Sequence, residues 1–167
     1  GADGADLRST AFLQPAKALF EEIGLWPALA ADALAQASDW FRTLQKRDGM
    51  AARALEFLTL TAARSGEVRG AKWDEIDLTN GIWVIPASRM KAGREHRVTL
   101  PNAANALLKE LPRFKDCPYV FPSPKNGQMS DMTLSAVMRR IQEAEVKAGR
   151  AGYLDTRSGK PAVPHGL

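Results

Sequence analysis

The chain has 167 residues, 45% hydrophobic and 25% charged, the balance of a folded domain, which excludes wholesale disorder and the collagen-like and low-complexity classes. Its 23 Lys and Arg against 19 Asp and Glu leave a net charge of +4, which allows an acidic partner without demanding one. One cysteine and two histidines exclude an internal disulfide and cannot build a zinc cage without carboxylates.

Residues 1–27 read as an extension or linker holding one short amphipathic helix, with Phe12, Leu13, Leu19, Phe20, Ile23 and Leu25 on its apolar side. The doubled Gly-Ala-Asp at its start has neither the basic nor the apolar part of a signal peptide. No apolar run is long enough to span a bilayer either, so a cytoplasmic location and no membrane partner are expected. Pro27 breaks the chain, and Asp32 is placed to cap a helix through Arg47 that Asp48-Gly49 stops. From Met50 to about Ala63, the alanine-rich apolar run around Leu55, Phe57, Leu58 and Leu60 is too long for a typical strand and predicts a buried helix. Ser65-Gly66 predicts a turn or cap before a short helix ending near Trp73. Beyond it the period changes to two. Asn80-Gly81 is a hairpin signal, Ile82 to Ile85 are β-favouring, and His96, Val98 and Leu100 alternate with polar residues. Two antiparallel strands therefore flank a basic turn at Lys91-Ala92-Gly93-Arg94. Asn102 is placed to cap a helix to Leu111, Tyr119-Val120-Phe121 reads as a third strand, and Ser130 or Asp131 caps a long helix to Lys147. Residues 149–164 are rich in Gly, Pro and polar residues, a loop that delivers His165. The sum is a mainly helical α+β domain around a small three-stranded antiparallel sheet.

Taken singly, the chemistry-bearing residues have ordinary explanations: an arginine after a buried helix is usually a structural ion pair, and a turn lysine is usually a solvated charge. Order and context change that. The stretch Leu58-Thr59-Leu60-Thr61-Ala62-Ala63-Arg64-Ser65-Gly66-Glu67-Val68, followed by Trp73-Asp74-Glu75-Ile76-Asp77, resembles the first active-site block of the tyrosine recombinases, the phage integrase family. Ile85-Pro86-Ala87-Ser88-Arg89-Met90-Lys91, continuing to His96-Arg97-Val98, is similar to the catalytic hairpin of integrases carried by prophages and genomic islands. Val163-Pro164-His165-Gly166-Leu167 resembles the start of the family's His-x-x-Arg element.

The resemblance implies catalytic roles for Arg64, Lys91 and His165, with Glu67 as a supporting acidic residue. It implies the tyrosine-recombinase catalytic-domain fold over residues 28–167, a partial domain that ends before the second catalytic arginine and the tyrosine nucleophile. The chemistry agrees. A guanidinium offers paired donors to a phosphodiester gathering negative charge, a lysine crowded by cations gives up its proton to a leaving oxygen, and an imidazole exchanges protons near neutrality. The hairpin from Ser88 to Arg97 carries four Lys or Arg against one Glu, so Arg89, Arg94, Arg97 and, less directly, His96 are candidate DNA contacts. Trp73 and Trp83 read as core, and Arg139-Arg140 with Glu143 and Glu145 as helix-face pairing.

The implied function of the intact parent is site-specific recombination at double-stranded DNA attachment sites through a 3′-phosphotyrosine link. A tetramer on DNA, accessory DNA-bending or excision proteins, and neither metal nor nucleotide cofactor belong to that implication. Only Tyr119 and Tyr153 occur, both before His165, whereas the family's nucleophile follows the histidine. This chain is therefore expected to lack the nucleophile and to be inactive alone. The rival readings are a noncatalytic DNA-binding or regulatory remnant and a helical protein-interaction module.

Overall fold

A computed structural model of the protein describes residues 26–90, 93–155 and 159–164, with side chains in the first helix described from residue 35. The expected helix over residues 9–26 lies outside them except for Trp26. The chain divides into two compact units, Gly1–Trp40 and Phe41–Leu167. The described part of the first is helical. Helix α1, Trp26–Gln45, begins six residues before the expected Asp32 cap, because a proline at the second helical position costs no hydrogen bond the first turn would have made.

The second unit is built on helix α2, Met50–Thr61, which packs against three other helices: α3, Ser65–Arg69; α4, Asn102–Glu110; and α5, Met132–Lys147. Gly49, at φ 98°, makes the sharp entrance into α2 that Asp48-Gly49 forecast. Ala54, Leu55, Phe57 and Leu58 are buried along α2, so the alanine-rich run serves close helix packing. Asn102 is the first residue of α4 rather than its cap, since Pro101 holds that position. Asp131 precedes α5 without a capping side-chain bond.

The sheet is three-stranded and antiparallel, in the order β1, Ile76–Asp77; β2, Ile82–Ile85; β3, His96–Thr99. Its third member is thus Ile76–Asp77, not the expected Tyr119-Val120-Phe121. Pro118 and Pro122 bracket that segment and remove ladder donors, leaving Tyr119 only an isolated bridge to Lys72, while Val120 and Phe121 are buried. The β1–β2 turn is closed by Asp77, whose Oδ1 accepts from the Thr79 and Asn80 amides and whose Oδ2 accepts from the Asn80 side chain. Gly81 turns the chain at φ 64°.

Strand β2 carries the sheet's contribution to the core. Trp83 and Ile85 are fully buried, and the Trp83 ring packs on Phe57 with centroids 5.3 Å apart. Phe57 in turn meets Phe121 at 5.4 Å, so one aromatic triad locks α2, the sheet and the 118–122 segment together.

Candidate active-site face around Arg64

Arg64 sits where α2 gives way to α3. Ala62 ends α2 in the left-handed region, φ 51°, a conformation that costs a non-glycine residue about 1 kcal/mol. The chain then turns so that Arg64, extended at φ −73° and ψ 147°, becomes the N-cap of α3. Glu67 stands three residues on, on the first turn of α3, and reaches back. Its Oε2 accepts from the Arg64 amide at 2.9 Å and its Oε1 from Arg64 Nη1 at 3.0 Å. This is the N3-to-N-cap half of a capping box with a guanidinium added; the reciprocal bond is absent, because an arginine side chain has no acceptor for the Glu67 amide. Glu67 is buried at 10% side-chain exposure, whereas the Arg64 side chain is 68% exposed. A held carboxylate thus fixes the base of a cation whose free donors face outward.

The hairpin lies beside this turn. Beyond β2, a 3₁₀ turn at Ala87–Arg89 leads to the tip, where Gly93, at φ 63°, closes a bend through its amide to the Met90 carbonyl at 2.9 Å. Lys91 falls outside the described residues, as does His165. Arg94 is exposed. Arg97 is 70% exposed and pairs with Glu95 at 3.0 Å. The register sets Arg97 opposite Val84 and His96 opposite Ile85. Successive strand residues face opposite ways, so His96 shares the face of buried Ile85 and Arg97 points to the other side.

Arg89 is placed differently from the other expected DNA contacts. Its Nη1 donates to both carboxylate oxygens of Glu75, and its Nη2 donates to the Glu67 carbonyl oxygen at 2.5 Å. Only 21% of the side chain is exposed. Glu75 also accepts from Trp83 Nε1 at 3.1 Å and from the Lys72 amide at 3.3 Å. Sequence reasoning did not single out Glu75, although it lies in the quoted Trp73-Asp74-Glu75-Ile76-Asp77 block. Trp73, expected in the core, is only half-buried, and a carboxylate two residues after it was the available signal.

The segment leading toward His165 is anchored to α5. Arg150 donates from Nε and Nη2 to the two oxygens of Glu145, at 2.5 and 2.9 Å. That bidentate bond is the main reason the Glu145 carboxyl is held below its ordinary range and Arg150 above its own. Gln142 clasps the next turn, accepting from the Tyr153 amide at 2.7 Å and donating to the Ala151 carbonyl at 3.0 Å. The Tyr153 hydroxyl is hydrogen-bonded to Thr43 at 3.1 Å. On α5, Arg139 pairs with Glu143 at 3.7 Å, as the helical spacing foretold, whereas Glu145, expected to join that pairing, is taken by Arg150. Among the described residues, no three His, Cys, Asp or Glu side chains stand together as a metal site would require, and no helix is long and apolar enough to cross a membrane.

Comparison with known proteins bears on the fold and the family. Prophage integrase IntA of Escherichia coli K12 is 34% identical over 145 residues, covering 84% of this chain and 31% of the relative. The integrase of enterobacteria phage P4 is 33% identical over 103 residues, covering 53% of this chain and 24% of the relative. The chain thus spans about a quarter to a third of these relatives' length. Among solved structures, XerA recombinase shares the fold with a TM-score of 0.55 at 20% identity, over 79% of this chain and 44% of that one. The model of the phage integrase family matches residues 29–167, and the chain belongs to that family, the tyrosine recombinases.

Proposed function

We propose that the chain is part of a site-specific DNA recombinase that integrates or excises a mobile element, and that Arg64, Lys91 and His165 converge on one scissile phosphate. The tyrosine oxygen attacks phosphorus, the bond from phosphorus to the 5′ oxygen breaks, and a 3′-phosphotyrosine link forms. Arg64 pairs with the nonbridging oxygens as they gain charge. Lys91 gives a proton to the departing 5′ oxygen. His165 accepts the tyrosine's proton or hydrogen-bonds a phosphate oxygen. Glu67 holds Arg64 in place, and Arg94 and Arg97 meet the DNA backbone. The nucleophile is assigned to neither Tyr119 nor Tyr153. The intact protein works as a tetramer on two DNA sites, with accessory DNA-bending proteins.

One observation carries this reading: the exposed Arg64 guanidinium is held at its base by the buried Glu67 carboxylate. A cation prepared in that way, with donors left over, suits a charge that appears only during reaction. The test is to mix the full-length protein that contains this chain with nicked duplexes spanning the candidate attachment junctions. A protein–DNA adduct that survives denaturing electrophoresis is expected. Arg64→Ala should lower its rate by about 10² to 10³, the loss typical of one transition-state donor. Binding without any adduct would favour the noncatalytic remnant instead.

A further inference from the structure

We infer that Arg89 is a positioning residue, a strut that ties the foot of the Lys91 hairpin to the turn presenting Arg64, and not a contact to DNA. The inference rests on the reading of Arg64 and Lys91 given above. It departs from the expectation that every cation of the basic hairpin faces nucleic acid.

Three observations carry it. First, both terminal nitrogens of Arg89 are committed within the protein, Nη1 to Glu75 and Nη2 to the backbone carbonyl of Glu67. The side chain is 21% exposed, against 68% for Arg64 and 70% for Arg97. Second, each end of the bridge is itself fixed. Glu75 accepts from the indole of fully buried Trp83, on the β2 strand that leads into the hairpin. Glu67 is the residue that grips the amide and guanidinium of Arg64. A continuous chain of polar contacts therefore runs from Trp83 through Glu75, Arg89 and Glu67 to Arg64. Arg89 stands two residues before Lys91 at the foot of the hairpin.

Third, the site is shaped for this guanidinium. A Cβ placed on Gly70 would lie 3.1 Å from Arg89 Nη2 and 3.3 Å from its Cζ. Gly70 has an ordinary φ of −101°, so its backbone does not call for glycine; the room it leaves is filled by Arg89 together with Gln128, whose Nε2 would lie 3.3 Å from the same Cβ. The two-sided grip also calls for arginine. A planar fork can serve a carboxylate on one branch and a carbonyl on the other, whereas a lysine ammonium is a single point of charge.

The experiment uses the full-length integrase with Arg89→Gln, Arg89→Lys and Gly70→Ala, and with Arg94→Gln as the phosphate-contact comparison. Duplex binding is titrated across salt concentration, single-turnover cleavage of a nicked substrate is measured at saturating DNA, and hydrogen exchange is followed at the Met90 and Gly93 amides. A strut predicts that all three Arg89 and Gly70 variants keep the salt slope of the unaltered protein. It predicts that they lose about ten-fold or more in cleavage rate at saturation, that lysine fails to rescue, and that hairpin exchange quickens. Arg94→Gln should instead lower the slope by about 0.9, the value of one phosphate contact. If Arg89→Gln lowers the slope by that amount while cleavage at saturation is unchanged, the strut is overturned. Thermal melting of each variant guards against one that merely fails to fold: a folded Arg89→Gln with unaltered cleavage and exchange also overturns it. If the unaltered integrase never cleaves, the functional reading fails by itself, and the exchange arm still decides whether Arg89 holds the hairpin.

Discussion

Glu67 grips Arg64 twice, accepting from its backbone amide at 2.9 Å and from its guanidinium at 3.0 Å. One buried carboxylate therefore caps α3 and aims the side chain of the capping residue. Glu67→Ala should show both losses. Denaturant unfolding should reveal a cost of about 1 kcal/mol, the usual value of a helix cap. Single-turnover cleavage by the full-length protein should fall by about ten- to a hundred-fold, since a reacting group displaced by about an ångström loses that much. Unaltered cleavage would show that Arg64 needs no such hold.

The strand register separates Arg97 from His96. Arg97→Gln should reduce the salt slope of duplex binding by about 0.9, and Arg94→Gln likewise. His96→Gln should leave the slope unchanged, because His96 lies opposite Ile85 on the packed face. A slope that responds to His96 and ignores Arg97 would reverse the orientation proposed for the hairpin on DNA.

Ala62 holds a left-handed conformation at the end of α2. Glycine suffers no Cβ penalty there and is the commonest residue at such helix ends. Ala62→Gly should therefore raise unfolding stability by about 0.5 to 1 kcal/mol, the relief of strain less the added chain entropy. A destabilised variant would mean that the methyl group packs usefully enough to outweigh the strain.

The Glu145–Arg150 pair predicts a response to acid. The Glu145 carboxyl lies below its ordinary value of 4.5 in the folded protein, chiefly through its hydrogen bond from Arg150. A depressed carboxylate contributes stability that is present above 4.5 and is lost as pH falls through the lowered folded value. Urea midpoints followed downward through this range should decline more steeply for the unaltered chain than for Glu145→Gln. Parallel curves would show that the pair adds nothing to acid stability.

Much of this was legible in the chain. The α2 helix announced itself by an apolar run too long for a strand, and the β2–β3 hairpin by its change of period and its Gly93 turn. The short strand Ile76–Asp77 was not legible, because a two-residue strand has no periodicity to read and is defined by its partner, Ile82–Ile85. The 119–121 segment misled for the opposite reason: its residues favour strands, but prolines on both sides deny it a ladder. At the site, Arg64 and Glu67 stood out only through the resemblance of their stretch to the integrase block; that Arg64 itself caps the next helix was not legible, because Ser65-Gly66 read as the turn or cap. Arg89 was harder, since local charge counts a cation the same whether it faces solvent or a carboxylate. Its partner Glu75 lies 14 residues away in sequence and is brought near only by the fold.

The alternation along β3 has a practical consequence for redesign. Its outward positions, Arg97 and Thr99, pair through the backbone with Val84 and Ile82, and Arg97 adds only an exposed pair with Glu95, while the Trp83 and Ile85 side chains that stabilise the hairpin lie on the reverse side. Under the proposed reading, varying the outward row changes the hairpin's grip on the DNA backbone without eroding the scaffold, so that grip and folding are separately adjustable within a single strand.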